Sequence, residues 1–212
     1  MSVLSRGCKR PKSPLLQASD MFLTGEFMLY EKSGRFTLVS ASIDRSYYDI
    51  RLDAQKLACA TLMLQVCAAL VQENEECRDI FAALQEALEC LQQSGAELAV
   101  GICNYFLFRL LHYAGFKPRI VHCIVCEERI GKDNSAHLGF DFHGGGVVCA
   151  NCLTEGLKEI SRPVYLELYK LAVFKPYSDL SQIKTHKSVL NVLLDYIELT
   201  LGQRFKASRL IH

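Results

Sequence analysis

The sequence predicts an α+β protein: a small N-terminal β piece, then a larger, mainly α-helical domain that carries a four-cysteine module. Three observations predict it. Apolar residues flank a short Gly-containing turn within residues 21–43, which reads as a β-hairpin. From about residue 47 the apolar period lengthens to that of helices. Two Cys-x2-Cys pairs then stand at 123–126 and 149–152. The expected division is a β piece over 1–46 and a helical domain over 47–212, with the cysteine module at 123–152.

Residues 2–8, like 21–43, read as strands and turns. The stretch RGCKRPKSP has two prolines and no apolar pattern, so it is a loop. Phe22, Phe27 and Leu29 precede the turn Lys32-Ser33-Gly34, and Phe36-Thr37-Leu38-Val39 follows it. A first helix fits from Asp53 to about Gln72, with Leu57, Leu62, Leu64, Val66 and Leu70 apolar. A second fits 76–93, ending before Ser94-Gly95. A third fits 96–114, stopped by Gly115 and Pro118. Ser161 with Pro163 starts a fourth, to about Phe174, because proline suits the first helical turn. The last runs over 185–201 to a stop at Gly202.

At 212 residues, 50% apolar and 22% charged, the chain can bury a core without staples. The net charge of +1 says nothing about partners, but its distribution does. Arg6, Lys9, Arg10 and Lys12 lie in residues 1–14 with no acid, and Arg204, Lys206 and Arg209 close the chain. Residues 73–97 carry seven acids against Arg78 alone. No apolar run follows the basic start, so no secretory signal is read. The most apolar twenty residues, 96–115, contain Glu97, Asn104, Arg109 and His112. Such groups are costly in a bilayer, so the segment reads as a buried helix. The expected home is the cytoplasm.

Of the ten cysteines, Cys59, Cys67, Cys77, Cys90 and Cys103 fall in helical segments, where a free thiol acts as a small hydrophobe. Cys8 is a lone thiol in a polar stretch. Cys123, Cys126, Cys149 and Cys152 differ. Each Cys-x2-Cys turns tightly enough to offer two thiolates to one ion, and two such knuckles complete a tetrahedral S4 shell, the closed geometry of structural zinc. With every ligand supplied by protein, no position stays open for Lewis-acid chemistry. Iron also accepts thiolates, but zinc is the commoner occupant of a stapled loop. Between the knuckles, His137, Asp141 and His143 admit a second site or an acid/base cluster. The plainer reading is a hairpin tip in which Phe140 and Phe142 pack and Gly144, Gly145 and Gly146 permit a positive-φ turn.

The basic loop supplies mobile cations of the kind phosphate backbones recruit. The C-terminal Gly202-Gln-Arg204-Phe-Lys206-Ala-Ser-Arg209 offers a second cluster, with Phe205 as a candidate stacking ring. No nucleophile elbow, metalloprotease helix or Walker A sequence is present, so the chain reads as a non-enzyme.

Taken in order, the strand, basic loop RGCKRPKS, hairpin, helices, spaced knuckles with FHGGGVVCANC, and terminal helix running into LGQRFKASRLI resemble the bacterial RecO family of DNA repair proteins in its zinc-containing form. The likeness covers essentially the whole chain. It implies an N-terminal OB-fold, here incomplete, ahead of the helical domain. It implies binding of single- and double-stranded DNA, annealing of complementary strands, and assistance to RecA loading together with RecR, SSB and, in some members, RecF. By position, Arg6, Lys9, Arg10 and Lys12 fall in the family's basic OB loop. Lys206 and Arg209 fall in its basic C-terminal segment, and the four cysteines match its zinc ligands. Nucleoid association follows from the same resemblance. Because family members begin with further strands, the chain is expected to start inside the barrel, at an internal methionine, leaving a sheet edge open. The alternative reading is a zinc-stapled protein-interaction adaptor without direct DNA contact. A weaker third is an enzyme using His137, Asp141 or His143.

Overall fold

A computed structural model describes residues 2–5, 8, 10, 12–13, 15–71, 75–131, 137–173 and 187–211. The chain divides into two compact units, Met1–Asp53 and Ala54–His212. The fold is α+β, with the β piece first and the helical part second.

In the first unit, β1 (Val3–Leu4), β2 (Leu23–Lys32) and β3 (Arg35–Ser46) form one sheet in the order β1-β3-β2. β1 falls within residues 2–8, the stretch expected to hold strand and turn. It pairs only through Val3 and Leu4 with Phe36 and Thr37, and Cys8 already lies in a turn. β2 and β3 are an antiparallel hairpin closed at Lys32↔Arg35. The two turn residues, Ser33 at φ 53° and Gly34 at φ 72°, both sit in the left-handed region. That conformation gives a two-residue loop the same twist as its flanking strands. Two bulges place an extra residue, Asp44 and then Val39, on β3, while β2 alternates without interruption. Residues 47–53 group with this unit: the Tyr47 N–H donates to Phe22 O at 3.0 Å, and Tyr47 and Ile50 are buried.

In the second unit α1 (Ala54–Leu70), α2 (Arg78–Gln93) and α3 (Ala99–Tyr113) pack against one another. Each turns a 3.6-period face inward: Ala58, Leu62, Met63 and Val66 from α1, and Ala83, Ala87 and Leu91 from α2. α3 is buried almost all round, with Ile102, Phe106, Leu107 and Leu110 inaccessible. It is a core helix, and among the described residues no helix is long and apolar enough to cross a membrane. Cys59, Cys67 and Cys103 are buried among these helices. Burial pushes the Cys67 thiol up to about 12, as expected of an inert core cysteine.

A second small sheet holds β4 (Leu138–Asp141), β5 (Gly146–Val148) and β6 (Lys158–Ile160) in the order β5-β4-β6, all antiparallel. α4 (Arg162–Val173) and α5 (Lys187–Leu201) follow. Phe140 ties the sheet to α5 through an edge-on contact with Tyr196, ring centres 5.8 Å apart. Tyr165 on α4 donates its hydroxyl to Ile130 O at 2.8 Å. The starts expected for the fourth and fifth helices differ little from those found, though Phe174 and Thr185 lie outside the described residues.

Candidate metal centre and nucleic-acid interface

The knuckles converge because both hang from β5. The segment 119–124 runs beside β5: Arg119 N–H donates to Gly145 O and Val147 N–H to Arg119 O, each at 2.9 Å, and Ile124 N–H to Val147 O at 3.0 Å. Ile124 sits one residue after Cys123, and Val147 two before Cys149, so this ladder fixes one knuckle against the other. It requires glycine where the backbones meet. A Cβ on Gly146 would lie 2.5 Å from Ile124 Cγ2 and 2.6 Å from Arg119 O. Gly145 makes the turn at φ 68°.

The first knuckle closes as a small hairpin. Cys123 N–H donates to Glu128 O at 2.9 Å, Glu127 N–H to Cys123 O at 3.0 Å, and His122 pairs with Arg129. The second closes as a 3₁₀ turn over Ala150–Cys152, with Cys152 N–H donating to Cys149 O. The four sulfurs of Cys123, Cys126, Cys149 and Cys152 then lie within 4.8 Å of one another. Cys126 Sγ and Cys149 Sγ are 3.7 Å apart. A tetrahedron with zinc–sulfur bonds of about 2.3 Å has edges of about 3.8 Å, so the donor set fits an ion of that size.

The electrostatics agree. Burial alone raises the Cys123 thiol, but N–H donors from Cys126, Cys149 and Val125 outweigh it and bring it down to about 6. Cys149 and Val125 reach its sulfur at 3.4 and 3.5 Å. Contact with the sulfurs of Cys126 and Cys149 pushes the Cys152 thiol up to about 12. Four sulfurs this close can share one cation, which would let all four be thiolates at once. Cys123 is buried and Cys126 exposed, so one side of the cluster meets solvent.

The hairpin-tip reading holds for the loop between the knuckles. Asp141 Oδ1 accepts the N–H groups of His143 and Gly144 at 2.9 and 3.0 Å, which commits that carboxylate to the turn. Phe140 is buried and its ring centre is 5.1 Å from that of Phe142.

The basic residues fall in separate units. In the first unit Arg10 and Lys12 are exposed on a turn in which Ser13 N–H donates to Arg10 O, while Leu15 is buried beneath. Arg6 and Lys9 lie outside the described residues. In the second unit Arg204, Lys206 and Arg209 are all exposed, around a 3₁₀ turn over Lys206–Leu210 that packs on α1. Residues three apart eclipse in a 3₁₀ turn, so Lys206 and Arg209 share a side.

Phe205 is a correction to the sequence reading. It is only 4% exposed, and with Ala207 and Ile211 it anchors the turn in the core, so it is no stacking ring for a base. Two acceptors unseen in the sequence hold this turn: Glu198 Oε1 takes Phe205 N–H at 2.9 Å, and Gln65 Oε1 takes Ala207 N–H at 3.4 Å.

Fold and site define a two-unit α+β protein whose helical unit bears four clustered cysteines placed so that they could hold one metal ion, and an anchored basic C-terminal turn. Residues 51–209 match the family model described as Recombination protein O C terminal. The chain is 29% identical over 210 residues to the DNA repair protein RecO of Caldicellulosiruptor saccharolyticus, covering 97% of this chain and 83% of the relative. It is 29% identical over 219 residues to that of an Exiguobacterium species (100% and 83%), and 25% identical over 210 to that of Alkaliphilus metalliredigens (96% and 82%). The chain belongs to the RecO family.

Proposed function

We propose that this chain works in DNA repair as a non-enzymatic mediator that grips DNA through its phosphates, anneals single strands, and assists RecA loading with RecR and SSB, and with RecF where it is present. The carrying observation is the C-terminal turn. Phe205, Ala207 and Ile211 hold it down, while Arg204, Lys206 and Arg209 stay in solvent. Three cations on an anchored turn suit a phosphate backbone, which needs charge at fixed spacing and no base readout. Arg6, Lys9, Arg10 and Lys12 would supply the second set of contacts. Family membership supports the same reading. One structural zinc ion in the cysteine tetrad would hold the knuckles together. All four ligands are protein thiolates, so the ion's part is to stabilise the fold.

Anisotropy of a labelled single strand tests this reading. Lys206→Ala with Arg209→Ala should weaken binding by a similar factor on every sequence. Unchanged binding by that variant would sink the proposal. No DNA binding at low salt alongside tight binding of RecR or SSB would favour the adaptor reading.

A further inference from the structure

The cysteine module carries cations that the fold leaves largely unmatched. Lys117, Arg119 and His122, all exposed, line a shallow pocket of about 190 Å³ to which α4 contributes Ala172. Arg129, also exposed, stands beside it. His122 and Arg129 face each other across the hairpin of the first knuckle, between the bonds from Cys123 N–H to Glu128 O and from Ile130 N–H to Val121 O, each 2.9 Å. That makes them a non-hydrogen-bonded antiparallel pair, with Cβ atoms about 4.5–5.5 Å apart on one face. Elsewhere in the helical unit cations are matched: Arg78 and Arg109 meet acids at 3.1 and 2.6 Å, and Lys158 pairs with Asp195. Among the described residues Lys117, His122 and Arg129 are in no ion pair. Arg119 meets Glu127 at 3.6 Å, with both side chains more than half exposed. Such a pair contributes little and exchanges readily for another anion.

We infer that this face of the cysteine module is a second phosphate-contact surface of the helical unit, taking the backbone of the same DNA that the C-terminal turn grips. It rests on the DNA reading above and adds a place to it. A phosphodiester offers one negative charge and acceptor oxygens. Lys117 and Arg119 answer the charge, and His122 offers a ring N–H in either protonation state. The backbone beneath them is fixed. Arg119 is tied to β5 through both its N–H and its carbonyl at 2.9 Å, and Arg129 sits between the two hairpin bonds, so the spacing of the cations is set before DNA arrives. Arg129 extends the row along α4. Its charge reaches the Tyr165 phenol, and Tyr165 precedes Ala172 by two turns on one face of that helix, about 10 Å along the axis. Glu127 and Glu128 are the acids of the knuckle hairpin, and Lys117, Arg119 and Arg129 outnumber them. The C-terminal turn packs on α1 and lines no part of this pocket, so the two grips are separate.

Anisotropy of a labelled single strand, titrated with the metal-loaded 212-residue chain at several salt concentrations, tests this surface. Arg119→Ala with Arg129→Ala removes two contacts and should bring the slope of log affinity against log salt about 1.4 closer to zero. Adding Lys206→Ala and Arg209→Ala should move it by about 1.4 again, because the grips are separate. Lys117→Glu should weaken binding on every sequence alike. Glu127→Gln releases Arg119 from its acid and should tighten binding about twofold at low salt. Elemental analysis and a melting curve confirm that each variant keeps its metal and its fold. Salt-dependent binding by the parent, with a slope unmoved by the arginine pair and an affinity unmoved by Lys117→Glu, would overturn this inference and leave the C-terminal turn as the grip. Affinity lost only by variants that have lost metal would overturn it as well. A parent that binds no DNA at low salt would overturn the proposed function, and this surface with it.

Discussion

Gly146→Ala should loosen the metal centre without touching a ligand. An added Cβ would meet Arg119 O at 2.6 Å, and ordinary contact begins at 3.4 Å, so the backbones must part by about 0.8 Å. An opening of that size carries the 2.9 Å bonds of Arg119 N–H to Gly145 O and of Val147 N–H to Arg119 O beyond hydrogen-bond reach. Each lost bond costs about 1 kcal/mol, and overpacking against Ile124 adds about 1 kcal/mol or more. The total is about 2–4 kcal/mol. For a unit of this size that lowers the midpoint of thermal unfolding by roughly 5–15 °C. Because the same ladder positions Cys123 against Cys149, the metal should also leave faster to a chromogenic chelator. The assay pairs a melting curve with the release rate of the ion. A variant with the parent's melting point and release rate would refute the argument that β5 joins the two knuckles.

Further outcomes follow from other contacts. Phe205→Ala should cost about 3–5 kcal/mol in denaturant unfolding, because the ring is buried; lost DNA binding at full stability would restore the stacking role. Cys126→Ser removes one of four thiolates and should reduce bound metal, measured by elemental analysis, while circular dichroism retains the signal of α1, α2 and α3. Burial raises the Tyr165 phenol from 10.0 to about 12. Its contribution to stability is therefore intact below about pH 10 and is lost as pH rises toward 12. Alkaline unfolding followed against phenolate absorbance checks this, and Tyr165→Phe should flatten that dependence.

Much of the fold was legible where a residue's role is local. The five helices follow from apolar spacing and from stops such as Ser94-Gly95 and Gly115, and the hairpin from Ser33-Gly34. The cysteine tetrad follows from ligand spacing alone. What escaped the sequence depends on partners far along the chain. β6 is three residues, Lys158–Ile160, too short and polar to show a period, and it exists because β4 offers it an edge. Phe205 sits in an apparently polar tail, and its burial needs α1 beneath it and Glu198 to take its N–H. Gly146 looks like one of three turn glycines; only the approach of Arg119 separates its role from theirs. Within residues 2–8, nothing in the composition marks that pairing with β3 ends at Leu4.

The most direct test of the account is the salt dependence of single-stranded DNA binding by the metal-loaded chain. Each phosphate neutralised contributes about −0.7 to the slope of log affinity against log salt. Engagement of Arg204, Lys206 and Arg209 alone predicts a slope of about −2, and all seven candidate cations about −5. Alanine at Lys206 and Arg209 should bring the slope about 1.4 closer to zero. An affinity flat with salt, or a slope unmoved by those substitutions, would contradict the account.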